Sequence, residues 1–242
     1  MVSERQLSRQ NRFWWSRWTP GLDERWLGAV SAGHARSPNR ITQWATPVVS
    51  RLPPRDSDLV AETAFGLFAS ALDAGVVVPL LPPERVQMAV DQAVGRIELL
   101  RGSGRDLSGV MTSDHCAFAI ILASRLLDWT LAYSVTIEVQ PRLPGAGIVD
   151  ACCPDLIAGK SLIEVKMART IFRLSDIRQV LVYTALSWLG TDRQLERVTL
   201  TNPMLGIAWH FELPELIREV SGESPAKFFD KFDRLSRGEA VE

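Results

Sequence analysis

Asp155, Glu164 and Lys166 are spaced so that one tight turn would gather them on a single face. Between them Gly159 and Lys160 separate two apolar runs and read as a two-residue hairpin turn. Ala158 then opposes Ser161, Ile157 opposes Leu162, Leu156 opposes Ile163, and Asp155 opposes Glu164. Side chains directly opposite in an antiparallel pair sit about 5 Å apart. Lys166 stands two residues beyond Glu164, so the strand period returns it to the same face. Leu156, Ile163 and Val165 point the other way, toward a core. Two like charges facing each other destabilise a hairpin unless something binds them, and a hard divalent cation suits paired carboxylates.

Asp150 is a rival acid. A simple hairpin gives it the opposite parity to Asp155, but Pro154 has no N–H for the ladder and can mark a bulge that resets parity. Asp155 is the preferred ligand, with Asp150 in reserve.

The elements that must position these groups follow from periodicity. Residues 57–74 read as a helix with Leu59, Phe65, Phe68 and Leu72 toward the core, stopped by Gly75. A second helix, 84–101, carries the stripe Val86, Val90, Ala93, Val94, Ile97 and Leu100. A third, 113–132, has Ser113 as expected N-cap and Asp114 in its first turn. The period then changes to alternation, with strands expected over 134–140, 148–158 and 161–167. A helix over 176–189 is expected to be capped by Ser175 and ended by Gly190. Strands over 197–202 and 204–211 and a helical stretch over 214–237, broken near Gly222 and Pro225, complete the pattern.

Residues 1–56 read as an irregular arm. They hold five of the eight tryptophans (Trp14, Trp15, Trp18, Trp26 and Trp44) and nine Arg against four acids. Arg interleaved with Trp can stack on bases and pair with phosphates, which makes Arg12, Arg17 and Arg25 candidate nucleic-acid contacts. The competing reading is that the tryptophans pack the arm onto the body or onto a partner subunit.

The whole chain has 242 residues, 46% hydrophobic and 23% charged, with a formal net charge of −1. A nucleic-acid site must therefore be a local patch rather than a basic coat. Arg outnumbers Lys 23 to 4, so a lysine at position 166 is less easily incidental. Cys116, Cys152 and Cys153 form no CxxC pair, and a reducing cytoplasm is the expected setting. Three histidines without ligand spacing to a cysteine argue against zinc, and the apolar run 116–124 is too short to span a bilayer. No Gly-x-x-x-x-Gly-Lys loop encodes an ATP motor.

The order helix, three strands, helix, strand, with Pro154-Asp155, Glu164-Val165-Lys166 and the pair Gln179 and Tyr183, resembles the core of the PD-(D/E)xK nuclease superfamily, in its RecB-type branch. The likeness covers residues 113–212. It implies an α+β or α/β fold with a restriction-endonuclease-like αβββαβ core, a mixed central sheet flanked by helices. The implied division is an Arg/Trp-rich, mostly helical region over 1–112 and a nuclease-like domain over 113–242. It further implies Mg²⁺- or Mn²⁺-dependent hydrolysis of DNA, in restriction, repair or defence against foreign DNA. Asp155 and Glu164 would hold the metal with the Val165 carbonyl, and Lys166 would orient the attacking water. Gln179 and Tyr183, four apart on one helix face, would support the site. Gly147 to Asp150 also resembles the stretch that supplies an acid in RecB-type nucleases. His115 matches a histidine that some relatives carry in the first core helix, although a structural role near a helix start competes. Glu138 is a possible extra acid. The alternative function is a non-catalytic or partner-activated subunit of a larger assembly, and a homodimer or a partner protein would suit the helical first half.

Overall fold

The computed structural model describes the chain except residues 10–11, 33–39, 50–51, 54–55, 102–110, 135 and 241–242, and the side chains at 12, 13, 40, 100 and 101. The described part of the first 56 residues is not wholly irregular. They form α1 (Glu4–Arg9), α2 (Arg12–Trp18), α3 (Glu24–Ser31) and β1 (Arg40–Gln43). Helices this short are marginal alone, so tertiary burial must hold them. Trp14, Trp15 and Trp18 are buried, and Trp18 stacks on Phe228 while its indole N–H donates to the Phe228 carbonyl at 3.0 Å. For these three tryptophans the packing reading holds.

Next come α4 (Ser57–Ala74), a 3₁₀ turn at Val78–Leu80, α5 (Pro83–Arg101) and α6 (Ser113–Tyr133). Ala89, Ala93 and Ile97, one helical turn apart, are the buried stripe of α5, while Val86, Val90 and Val94 are half-buried at its flanks. Thr112 rather than Ser113 caps α6. Its hydroxyl accepts from the His115 N–H, and its own N–H donates to His115 Nδ1. Among the described residues α6 is the one helix long and apolar enough to cross a membrane. Here Phe118, Leu122 and Leu126 are buried in the cluster that α6 shares with α4 and the sheet.

The remaining elements are β2 (Ile137–Val139), β3 (Leu156–Ala158), β4 (Ser161–Val165), α7 (Leu174–Gly190), β5 (Arg197–Asn202), β6 (Ile207–Glu212), α8 (Leu213–Ser221) and α9 (Pro225–Ser236). The strands form one mixed sheet in the order β1-β6-β5-β4-β3-β2, in which only β4 and β5 run parallel. The fold is thus α+β, a six-stranded sheet between two helical layers. On one face Leu156, Ala158 and Ile163 pack against α4, α5 and α6. On the other, Leu162, Val198, Leu200, Trp209 and Phe211 pack against α7, α8, α9 and the N-terminal helices. The sheet draws β1 from the first half of the chain and every other strand from the second.

The stretch expected as a strand over 148–158 is extended only at its end. Cys152 exchanges backbone hydrogen bonds with Leu143, and Val149 with Ala146, so residues 148–155 make local turns before joining the ladder. Pro154, without an N–H, cannot continue it. Ser175 is likewise not the cap of α7: the helix starts at Leu174, and Asp176 accepts from the Arg173 N–H at 2.8 Å. Gly190 is the last helical residue rather than the stop. Its value is contact, since a Cβ there would lie 2.0 Å from Pro144 Cγ.

Candidate active site

The hairpin forms in the expected register: Leu156 faces Ile163, Ile157 faces Leu162 and Ala158 faces Ser161. Gly159 in the turn has φ 57°, a left-handed conformation that glycine adopts without steric cost. One step further along, Asp155 and Glu164 sit beside each other where the ladder ends. Asp155 accepts the Val165 N–H on Oδ2 at 2.8 Å. Continuing the register, Pro154 would face Val165, and having no N–H it cannot occupy the Val165 carbonyl.

Lys166 is the hub. Its ammonium donates to Glu164 Oε1 at 2.7 Å and to Gln179 Oε1 at 2.8 Å, and lies 3.6 Å from Asp176 Oδ1. Gln179 passes the chain on, its amide nitrogen donating to the Tyr183 hydroxyl at 2.8 Å. Tyr183 in turn donates to Glu4 Oε1 at 3.3 Å. The four-residue spacing of Gln179 and Tyr183 on α7 makes this possible. All five sequence-predicted residues, Asp155, Glu164, Lys166, Gln179 and Tyr183, are therefore brought together, on the face of the sheet covered by α7.

Electrostatics follow from burial. Glu164 is 2% exposed, and its second oxygen, Oε2, is buried with no hydrogen-bond partner among the described residues. Burial and the neighbouring Glu164 push the Asp155 carboxyl up to about 8. For Lys166, burial opposes the charge, but Glu164, Asp176 and Asp155 outweigh it and hold the ammonium above its ordinary range. Burial together with Glu164 and Glu4 raises the Tyr183 hydroxyl, so it acts here as a neutral donor.

These groups open into a cavity of about 120 Å³, lined among others by Arg5, Glu62, Arg96, Asp155, Glu164 and Lys166. Arg5 was not singled out in the sequence. It comes from α1, which lies on α7, and its guanidinium stays charged: burial opposes it, and neighbouring carboxylates, Glu164 foremost, more than compensate. Gln140 also lines the cavity, and its N–H donates to the Asp155 carbonyl at 2.8 Å. Gln140 has φ 48°, the only positive value among described residues other than glycine. Strained backbone of this kind concentrates at functional sites.

Other candidates lie elsewhere. Asp150 does not line the cavity, and its N–H donates to the Val2 carbonyl. His115 takes part in the α6 cap and faces Asp56 at 3.3 Å, a structural role. Glu138 is held by two hydrogen bonds from Arg193, which lower its carboxyl. The Arg12 side chain falls outside the described residues. Arg17 and Arg25 are exposed, and neither lines the cavity.

Among the described residues no cluster of three or more His, Cys, Asp or Glu is gathered as a metal site. The two carboxylates still suit a hard cation. Mg²⁺ takes one or two carboxylates and keeps several waters, and Glu164 Oε2 is a buried acceptor without a donor. Zinc favours several nitrogen or sulfur ligands, and Cys153 is joined by no histidine or second cysteine in the lining of this cavity. The chain matches no family model and no curated protein.

Proposed function

We propose that this protein is a metal-dependent nuclease that hydrolyses phosphodiester bonds of DNA on a restriction-endonuclease-like core. The observation that carries the reading is the convergence of Asp155, Glu164 and Lys166 on one face of a hairpin, with Glu164 Oε2 buried and unpartnered. Supporting it, the order α6, β2, β3, β4, α7, β5 matches the αβββαβ succession of that core, with the two strands flanking α7 parallel.

Asp155 and Glu164 would hold Mg²⁺ or Mn²⁺, with the Val165 carbonyl beside them. Such an ion lowers the pKa of a bound water and stabilises charge on phosphoryl oxygens. Lys166, fixed between Glu164 and Gln179, is positioned to orient the attacking water and to offset developing negative charge. Gln179 and Tyr183 hold that ammonium in place rather than touching the reacting atoms. Arg5 adds a cation to the cavity where a phosphate would arrive.

The second reading, a partner-activated subunit of a larger nucleic-acid-processing assembly, draws on Leu80 and Leu99, apolar side chains exposed on the helical layer. Calorimetric titration with Mn²⁺ tests the first reading. One ion bound by the wild type and none by Asp155→Asn supports it, and no binding by the wild type favours the second.

A further inference from the structure

A second cavity, of about 160 Å³, shares Arg5 and Lys166 with the carboxylate cavity, so that these two cations stand between the two spaces. Its walls are polar throughout. Arg5 and Arg9, four residues apart and hence on one face of α1, supply two guanidinium groups. Lys166, already shared by Glu164 and Gln179, supplies a third cation, and Ser175 adds a hydroxyl, while the buried Ser8 hydroxyl donates to the Arg5 carbonyl at 3.0 Å. Asp176 is the one acid in the lining; its Oδ2 is taken by the Arg173 N–H, and its Oδ1 lies 3.6 Å from Lys166. Glu4 lies 3.7 Å from Arg5 and Glu164 2.7 Å from Lys166, so Arg9 is the lining cation with no carboxylate partner among the described residues.

Guanidinium and hydroxyl donors converging on a small polar space recognise phosphate oxygens. A polynucleotide strand carries one phosphate per nucleotide. A strand whose scissile phosphate lies at Asp155 and Glu164 therefore brings a neighbouring phosphate to the adjoining space. We infer that this second pocket binds the phosphate next to the scissile one on the substrate strand, with Arg9 and Ser175 as the contacts that set its grip. The inference rests on the nuclease reading for its purpose, but phosphate binding is measurable without catalysis. It also assigns α1 a function: the helix carries half of the phosphate grip onto a domain whose acids come from far along the chain.

The test is metal-free fluorescence anisotropy with a short 3′-labelled oligodeoxynucleotide bearing either a 5′-phosphate or a 5′-hydroxyl, over a series of KCl concentrations. Ser175→Asp places a carboxylate in the pocket. It stands in the first turn of α7, where an acid favours the helix, so the fold is kept. Affinity is expected to fall about tenfold or more. Arg9→Gln is expected to lower the slope of log affinity against log salt by about one. A loss with both probes assigns the pocket to an internal phosphate, and a loss confined to the 5′-phosphate probe assigns it to a chain end; either supports the subsite. Unchanged affinity and salt slope in both variants would overturn it. Failure of the wild type to bind Mn²⁺ would instead overturn the nuclease reading and leave the phosphate pocket standing.

Discussion

Gln179 presents its carbonyl oxygen to Lys166 at 2.8 Å because its amide nitrogen is committed to the Tyr183 hydroxyl. An amide that could flip would offer Lys166 a donor half the time. Tyr183 removes that freedom, and Glu4 fixes Tyr183 by accepting its hydroxyl proton. A helix at the start of the chain thereby helps to hold the ammonium at its centre.

Gln179→Leu tests this positioning. The leucine fills a buried site of similar size, so the fold is expected to persist. Lys166 keeps Glu164 but loses its second anchor. Turnover on DNA is expected to fall about ten- to a hundredfold, with KM little changed. Steady-state kinetics with Mn²⁺ separates the two, and a raised KM with unchanged turnover would point to lost substrate binding instead.

Glu164→Gln removes one of two facing acids. Mn²⁺ affinity is expected to drop by more than the roughly ten- to hundredfold that loss of an outer-shell partner costs. Thermal stability is expected to fall, because the buried Lys166 ammonium loses its charged partner at 2.7 Å and the amide still leaves a buried polar atom at the Oε2 position. Calorimetry and a melting curve on the same sample check both halves.

The pH dependence has a defined sign. In the folded, metal-free protein the Asp155 carboxyl lies above its unfolded value, raised to about 8 by burial and Glu164. The native state then holds a proton that the unfolded chain releases. This contribution to stability is fully present below the ordinary carboxylate range and is lost as pH rises through about 8. Mn²⁺ needs the ionised carboxylate, so its affinity runs the other way and climbs with pH over the same window. Melting curves across that window, with and without Mn²⁺, should show opposite trends, and Asp155→Asn should flatten both.

The hairpin was legible because two independent signals agreed on it. Alternation set the faces, and Gly159 marked the turn, so the register from Leu156–Ile163 to Ala158–Ser161 followed from counting. Arg5 was not legible, since its place depends on α1 docking onto α7, a contact across most of the chain that no local pattern encodes. Residues 148–153 misled because Ile148, Val149 and the adjacent cysteines have strand-like composition, whereas their backbone partners, Val2, Ala146 and Leu143, are set by tertiary structure. The N-terminal arm misled for the opposite reason. Its helices are too short to announce themselves, and Trp18 against Phe228 gives them a tertiary anchor that local propensity does not reveal.

Gly159→Ala tests the turn that aligns the acids. A Cβ there meets only Ser134 Oγ, at 3.9 Å, so the cost is that of the left-handed backbone, about 1–2 kcal/mol. A fall in Tm of about 2–8 °C is expected, and Gly159→Asn should lose less.

The most direct measurement is cleavage of plasmid, linear and single-stranded DNA by the wild type and by Glu164→Gln, with Mn²⁺ and with a chelator. The wild type should cut at least one substrate only when Mn²⁺ is present, while the folded variant should cut none. DNA left intact by the wild type in every case, or cut equally by the variant, would contradict the assignment of Asp155, Glu164 and Lys166 as a nuclease centre.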